Sequence, residues 1–385
     1  MKKLIILLLF GIIFSNKLQS QSFCETPAIS EYEESILESI WLPDYSKYKF
    51  CVKIYIHVIR KSDGTGGQSY SNVLTAIGFL DSAYNPYDIY FKWNGSVNYI
   101  DNTTYYNSPS YIMSDDTYDH FDGIDIYLFD DSTNHPVTGN GWGIAGGVGK
   151  EPTKLLVTGT FNNGKTPLVR SHVLSHELGH LFFLWHTHHG TVPETGDPNQ
   201  CPECADGSNS SICGDYVTDT PADPGISYHV DLITCEWLNS GFDNCTPSTE
   251  YDPDTNNIMS YTNPICMEYI TPGQALRAKK ALALLPQLQA VSTYTILGSN
   301  PCDSTGSPFL VIYPNPAKNS VNIDLSENPE GEYKYLIYNI QNEVVKSDTV
   351  SNQNILVDIS LFRPGIYFVH AIHNNKKTIK HLLIN

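Results

Sequence analysis

Apolar and polar positions alternate with different periods along this chain, and the period changes mark its elements. CVKIYIHVIR (51–60) alternates with period two and predicts a strand, SNVLTAIGFLDSAY (71–84) repeats with a helical period, and IYFKW (89–93) returns to strand. IDIYLFD (124–130) and KLLVTGTF (154–161) predict two more strands on either side of a glycine-rich stretch, GNGWGIAGGVG (139–149). A helix is expected to begin near TPLVRSHVL, where Pro167 suits a first turn because its missing N–H costs nothing there. From 187 to 260 periodicity disappears among turn residues and cysteines. It resumes in ITPGQALRAKKALALL (270–285), a helix with Thr271 as cap and Pro272 in its first position.

Strand–helix–strand–strand order predicts an α/β (α+β) domain built on a twisted mixed sheet. Its helix near 176 would carry the site, and a loop-rich, disulfide-stapled subdomain would follow. Residues 295–310 are rich in Gly, Ser and Pro and read as a break. Beyond it, short alternating strands separated by turns predict a small all-β sandwich. The expected organisation is a signal peptide (1–22), a leader or pro-segment (23–50), a main domain (51–292), a linker (293–310) and a C-terminal module (311–385).

The N-terminus supports the first of these boundaries. MKKLIILLLFGIIF has two lysines and then an apolar core, followed by small and polar residues, which is the layout of a secretory signal. That core is too short to span a bilayer, and no later stretch reaches the ~18 apolar residues a span needs. An exported chain without a transmembrane segment is expected. Its 41 acidic against 23 basic residues give a formal charge of −18, which leaves no footprint for nucleic acid. Of its nine cysteines, six lie between 201 and 266, so disulfides pinning a loop-rich region are expected. CPEC (Cys201, Cys204) also fits half of a zinc knuckle or a redox pair, but no second CxxC accompanies it.

The chemistry concentrates in HELGHLFFLWH (176–186). His176 and His180 are four residues apart, so on a helix they project from one face, and two such imidazoles suit Zn²⁺. His186 supplies a third nitrogen. Glu177 sits beside the first ligand, placed to take a proton from a water whose pKa the ion lowers and to pass it to a leaving amine. Taken alone, the two histidines also fit an ordinary half-buried helix face beside Leu181, Phe182 and Leu184.

These residues resemble the metzincin signature HExxHxxGxxH, and NIMSY (257–261) resembles the Met-turn of that clan. The similarity sharpens towards the pappalysin/cytophagalysin family through GDYVTDTPADP (214–224), the helix start with Gln274 and Arg277, and the opening strand IYIHVIR. The resemblance spans about 51–290. It implies a zinc metalloendopeptidase in which His176, His180 and His186 hold the ion and Glu177 is general base and acid. Met259 would lie as an apolar floor beneath the metal, and Tyr261 would hydrogen-bond the oxyanion. The glycine-rich stretch and KLLVTG would form the edge strand that an extended protein or peptide substrate joins. It further implies the disulfides Cys213–Cys245 and Cys235–Cys266, and calcium at Asp215, Asp219 and Thr220, where a hydrogen-bonded turn is the other reading. Glu250 would line a pocket favouring Arg or Lys after the scissile bond. The alternative to an enzyme is an inactive peptidase-fold binding protein or adhesin.

One position departs from the pattern. Where the family has Gly, the turn from helix to third ligand carries Phe183. A non-glycine residue at positive φ costs about 1 kcal/mol or more, whereas a bound structural zinc contributes roughly 10 kcal/mol. His186 is therefore still expected as the ligand, with His188 and His189 as substitutes if the turn shifts. At the other end, YPNP (313–316), the PGIY segment (364–367) and the terminal strand TIKHLLIN are similar to the sorting domain of type IX secretion cargo. The resemblance implies a partner in that secretion machinery, passage across the outer membrane, and a secreted or cell-surface product.

Overall fold

The computed structural model describes residues 44–130, 143–145, 153–159, 171–192, 201–295, 300–302 and 310–384, apart from a few single positions. The expected signal peptide, most of the leader, Cys24 and Pro167 lie outside the described residues.

The long strand β1 (Lys49–Arg60) organises the main domain. Its inward residues Ile54, Ile56 and Val58 are almost fully buried, as period-two alternation requires. Strands β2 (Ile89–Lys92) and β3 (Val97–Asp101) run parallel to β1, along Phe50–Lys53 and Ile56–Arg60 respectively. β4 (Ile124–Phe129) is parallel to β1, and β6 (Lys154–Thr158) is parallel to β4. β5 (Gly143–Ala145) pairs antiparallel with β6 and ends the sheet. β3 was not legible in the sequence because its face is largely solvent-exposed and its residues show no strong alternation.

Helix α1 (Tyr70–Tyr84) is capped by the Ser69 side chain and buries Val73, Ala76, Leu80, Ala83 and Tyr84 at helical spacing. Helix α2 (Val173–Leu181) is wholly buried. Helix α3 (Pro272–Leu284) opens with a capping box: Thr271 accepts from the Gln274 backbone, and the Gln274 side chain accepts from the Thr271 N–H. A short helix α4 (Pro286–Val291) follows. One apolar core joins the inner face of the sheet to these four helices.

Two boundaries differ from expectation. Residues 44–50 belong to the main domain: Tyr45 is 1 % exposed, and its ring packs edge-on against Tyr48. Ser292–Thr295, mostly expected in the linker, form β7, antiparallel to the first residues of β1. Both segments are held because the aromatic rings of Tyr45, Tyr48, Phe50 and Tyr294 bury one another.

The described strands of the C-terminal module pair antiparallel with one another. β8 (Val311–Tyr313), β9 (Ser320–Asp324) and β12 (Asn354–Asp358) form a three-stranded sheet. β10 (Tyr333–Tyr338), β11 (Val344–Val350), β13 (Gly365–His373) and β14 (Lys376–Ile384) form a second set. The two sets enclose a shared core that includes Val321, Ile323, Tyr335, Ile337 and Val369. The module also continues the main sheet, since Ile379 of β14 pairs with Tyr294 of β7. Asn315 of YPNP reinforces the junction, donating to Gln289 (2.7 Å) and to the His381 carbonyl (2.9 Å).

The disulfides correct one expected pairing. Cys235 is bonded to Cys266, but Cys213 is bonded to Cys201 and Cys245 to Cys204, not to one another. The chain from 201 to 214 folds back on itself, with the Gly214 N–H donating to the Cys201 carbonyl at 3.0 Å, which puts Cys213 beside Cys201. Asp243 accepts from the Ala205 N–H and so delivers Cys245 to Cys204. The two cysteines of CPEC are thus in separate disulfides. A fourth bond, Cys51–Cys302, ties the segment after β7 back to β1.

Candidate metal centre and active site

Helix α2 presents His176 and His180 from one face, and its termination delivers His186. The helix ends in a complete Schellman arrangement: Leu184 N–H donates to the Gly179 carbonyl (2.9 Å) and Phe183 N–H to the His180 carbonyl (3.0 Å). Phe183 holds the left-handed position, φ 70°. The strain is offset by the surroundings. The Phe183 ring is fully buried, its carbonyl accepts from Arg277 Nε (2.9 Å), and the guanidinium lies 5.2 Å over the ring.

The three imidazoles meet edge to edge. His180 Nε2 lies 3.1 Å from His176 Nε2 and 3.1 Å from His186 Nε2. His176 Nδ1 faces the Ile258 carbonyl at 2.7 Å, and His180 Nδ1 faces the Leu184 carbonyl at 2.8 Å. A carbonyl only accepts, so both Nδ1 atoms carry the proton and both Nε2 atoms present lone pairs. Two lone pairs 3.1 Å apart repel unless they share a cation. A second proton is disfavoured, because burial, and then the neighbouring His180 and His186, push the His176 pKa well below its usual value. The donor set fits a metal ion held by three neutral imidazoles, each ring fixed by a carbonyl behind it where that partner is described.

The chain segment that holds His176 is equally constrained. Ile258, whose carbonyl holds His176, precedes Met259, whose N–H donates to Asn257 Oδ1 at 2.9 Å. Asn257 and Gln274 exchange two amide hydrogen bonds (2.9 and 3.1 Å), locking this turn to the start of α3. Gly179 admits the Met259 side chain, since a Cβ there would sit 2.5 Å from its Sδ. The Tyr261 ring stands 4.5 Å from that of His186 and 6.5 Å from that of His176. Glu177 is fully buried, and β5 passes so close that a Cβ on Gly143 would fall on its carboxyl group. The importance of Gly143 was hidden in a glycine-rich run; only the approach of β5 to α2 singles it out.

The remaining sequence candidates are placed differently. Asp219, expected to bind calcium, holds the start of α3: its oxygens accept from Thr271 Oγ1 (2.6 Å) and the Gly273 N–H (2.8 Å). Asp215 is buried and accepts from Val217 N (3.0 Å) and Thr220 Oγ1 (2.9 Å). Beside it lies Glu203, which the sequence did not single out. Burial first, and then the neighbouring carboxyl, push Glu203 up to about 8; burial pushes Asp215 up to about 7. Glu250 is exposed, in a backbone bridge to Phe242, and none of the contacts above brings it to the histidines.

Residues 107–283 match the family described as pregnancy-associated plasma protein-A, peptidase M43. The chain carries a pappalysin-like M43 metalloprotease domain. Residues 311–385 match the secretion system C-terminal sorting domain. Among curated proteins, an extracellular metalloprotease of Podospora anserina is 26 % identical over 272 residues, covering 67 % of this chain and 82 % of that one. An extracellular metalloprotease of Sordaria macrospora is 26 % identical over 243 residues, covering 59 % and 72 %. One of Pyricularia oryzae is 32 % identical over a shorter stretch, 32 % of this chain and 31 % of the relative. The metalloprotease is thus a secreted one with a type IX sorting module, and its metal belongs at the histidine triad. No helix among the described residues is long and apolar enough to cross a membrane.

Proposed function

We propose that this metalloprotease is a zinc-dependent endopeptidase of metzincin type, with His176, His180 and His186 as zinc ligands and Glu177 as general base and acid. The observation carrying the proposal is the convergence of the Nε2 atoms while Nδ1 of His176 and of His180 is committed to a carbonyl. Zinc there would act as a Lewis acid on the scissile carbonyl and acidify a water. Glu177, held next to the triad in a water-poor setting, takes the proton of the attacking water and delivers it to the leaving amine. Tyr261 donates its hydroxyl hydrogen to the oxygen that gains charge. Met259 floors the site, and β5, at the sheet edge, pairs with an extended protein or peptide substrate. Export by the signal peptide and then across the outer membrane, through the type IX machinery, would deliver it to the medium or the cell surface.

Peptide cleavage by the full chain, by its Glu177→Gln variant and by a chelated sample tests this. Cleavage by the parent alone supports the proposal. Equal silence of parent and variant with zinc bound favours a binding protein that retains the fold.

Calcium belongs to the proposal at Asp215 and Thr220, joined by Glu203. Glu203 Oε2 and Asp215 Oδ2 are buried and have no hydrogen-bond partner among the described residues. A divalent ion between two such carboxyls offsets their repulsion and desolvation. Without calcium both groups have raised folded pKa values, so stability falls as pH rises through the acid range towards 8. Added calcium should abolish that fall in thermal melts, and Glu203→Gln should remove the calcium effect. A calcium-independent melting temperature from pH 5 to about 8 counts against this part alone.

A further inference from the structure

On the face of the sheet opposite α2, a second group of ligand atoms converges. Tyr55 and His57 of β1 and Asp125 and Tyr127 of β4 are in paired register and point to the same side, away from Ile54, Ile56, Ile124 and Ile126, which pack towards the catalytic helix. His120, from the loop before β4, folds over this side. His57 Nε2 and His120 Nδ1 both address the same oxygen, Asp125 Oδ1, at 2.8 and 2.6 Å. Asp125 Oδ2 is held by the His120 backbone N–H at 2.7 Å. The three ligand atoms lie within 4.8 Å of one another.

The rings are held in place. Tyr55 stacks on His120 with centroids 3.5 Å apart and an interplanar angle of 9°, and Tyr127 stacks on His57 at 4.5 Å and 20°. Asn98 of β3 meets His57 Nδ1 at 3.0 Å. His57 and Asp125 are each 1 % exposed, whereas His120 is 38 % exposed, so the group is walled on the sheet side and open at one corner.

We propose that His57, His120 and Asp125 form a second site for a divalent transition metal, separate from the catalytic triad. Two imidazoles and one carboxylate suit Zn²⁺ and its first-row neighbours rather than Ca²⁺ or Mg²⁺, which require more oxygens. An ion held by His57 Nε2 and His120 Nδ1 leaves each ring its other nitrogen for a hydrogen bond, His57 Nδ1 towards the Asn98 amide and His120 Nε2 towards solvent. The ion would staple the loop carrying His120 to β1 and β4.

Zinc counting on the full chain tests this, with calcium in excess to fill oxygen-only sites. The parent should retain two zinc ions per chain in equilibrium dialysis. His180→Ala, His120→Ala and His120→Phe should each retain one; the Phe variant keeps the stack on Tyr55 but has no ring nitrogen. The melting temperature of the parent should rise further as zinc exceeds one equivalent, and that of the His120 variants should not. One zinc in the parent overturns the proposal, and so does retention of two zinc ions by both His120 variants.

Discussion

Arg277 grips Phe183 twice, by a 2.9 Å hydrogen bond from its Nε to the Phe183 carbonyl and by laying its guanidinium over the Phe183 ring. That contact explains how a bulky residue occupies the left-handed turn between the second and third histidines.

Phe183→Gly should therefore destabilise the protein even though it removes backbone strain. Relief at positive φ is worth about 1 kcal/mol, and emptying a fully buried aromatic site costs about 3–5 kcal/mol. Chemical denaturation should show a net loss of at least about 2 kcal/mol. Arg277→Ala should cost about 1–3 kcal/mol, because it leaves a buried carbonyl unpaired. A Phe183→Gly protein more stable than the parent would refute the compensation.

Gly143→Ala should lower peptide cleavage at least tenfold while zinc content stays at the parent level. The added methyl competes for the space of the Glu177 carboxyl, so either β5 retreats or the base moves. Parent-like kcat/KM would show that β5 yields without disturbing Glu177.

Lys380 on β14 is fully buried, and its Nζ has no hydrogen-bond partner among the described residues. Burial pushes its pKa down to about 7 from an ordinary 10.5. The unfolded chain therefore binds more protons between those values, so the penalty is absent above 10.5, grows as pH falls, and is complete below about 7. Melting temperature is expected to rise from pH 7 to pH 10 in the parent relative to Lys380→Met, which should be the more stable of the two at pH 7. Parallel pH profiles would contradict this.

Deleting the chain up to residue 48 should lower the stability of the catalytic domain relative to deletion up to residue 43. The first cut removes Tyr45 and Tyr48 from the cluster with Phe50 and Tyr294, and it also frees Lys279, whose Nζ donates to the Ser46 carbonyl at 3.0 Å. A drop in melting temperature of several degrees is expected for the longer deletion. Equal melting temperatures would mean that these tyrosines merely cover the surface.

Much of this protein was decided within short windows of sequence. The strand at 51–60, the helix at 71–84 and the capped helix at 272 follow from periodicity and end chemistry, which act over a few residues. The spacing of His176, His180 and His186 determined the candidate ligands, because four residues is one helical turn and a reversal brings the third within reach. Tertiary structure decided what depends on meetings between distant segments. Cys213 chose Cys201 over Cys245 because the 201–214 segment turns back on itself, and spacing does not encode that turn. Asp219 went to the start of α3, and Asp125 of β4 met His57 of the neighbouring strand β1. Phe183 looked like a defect until Arg277, on a helix far along the chain, closed over it. Local patterns specify backbone conformation, but a side chain's partner is set by which surfaces the folded chain brings into contact.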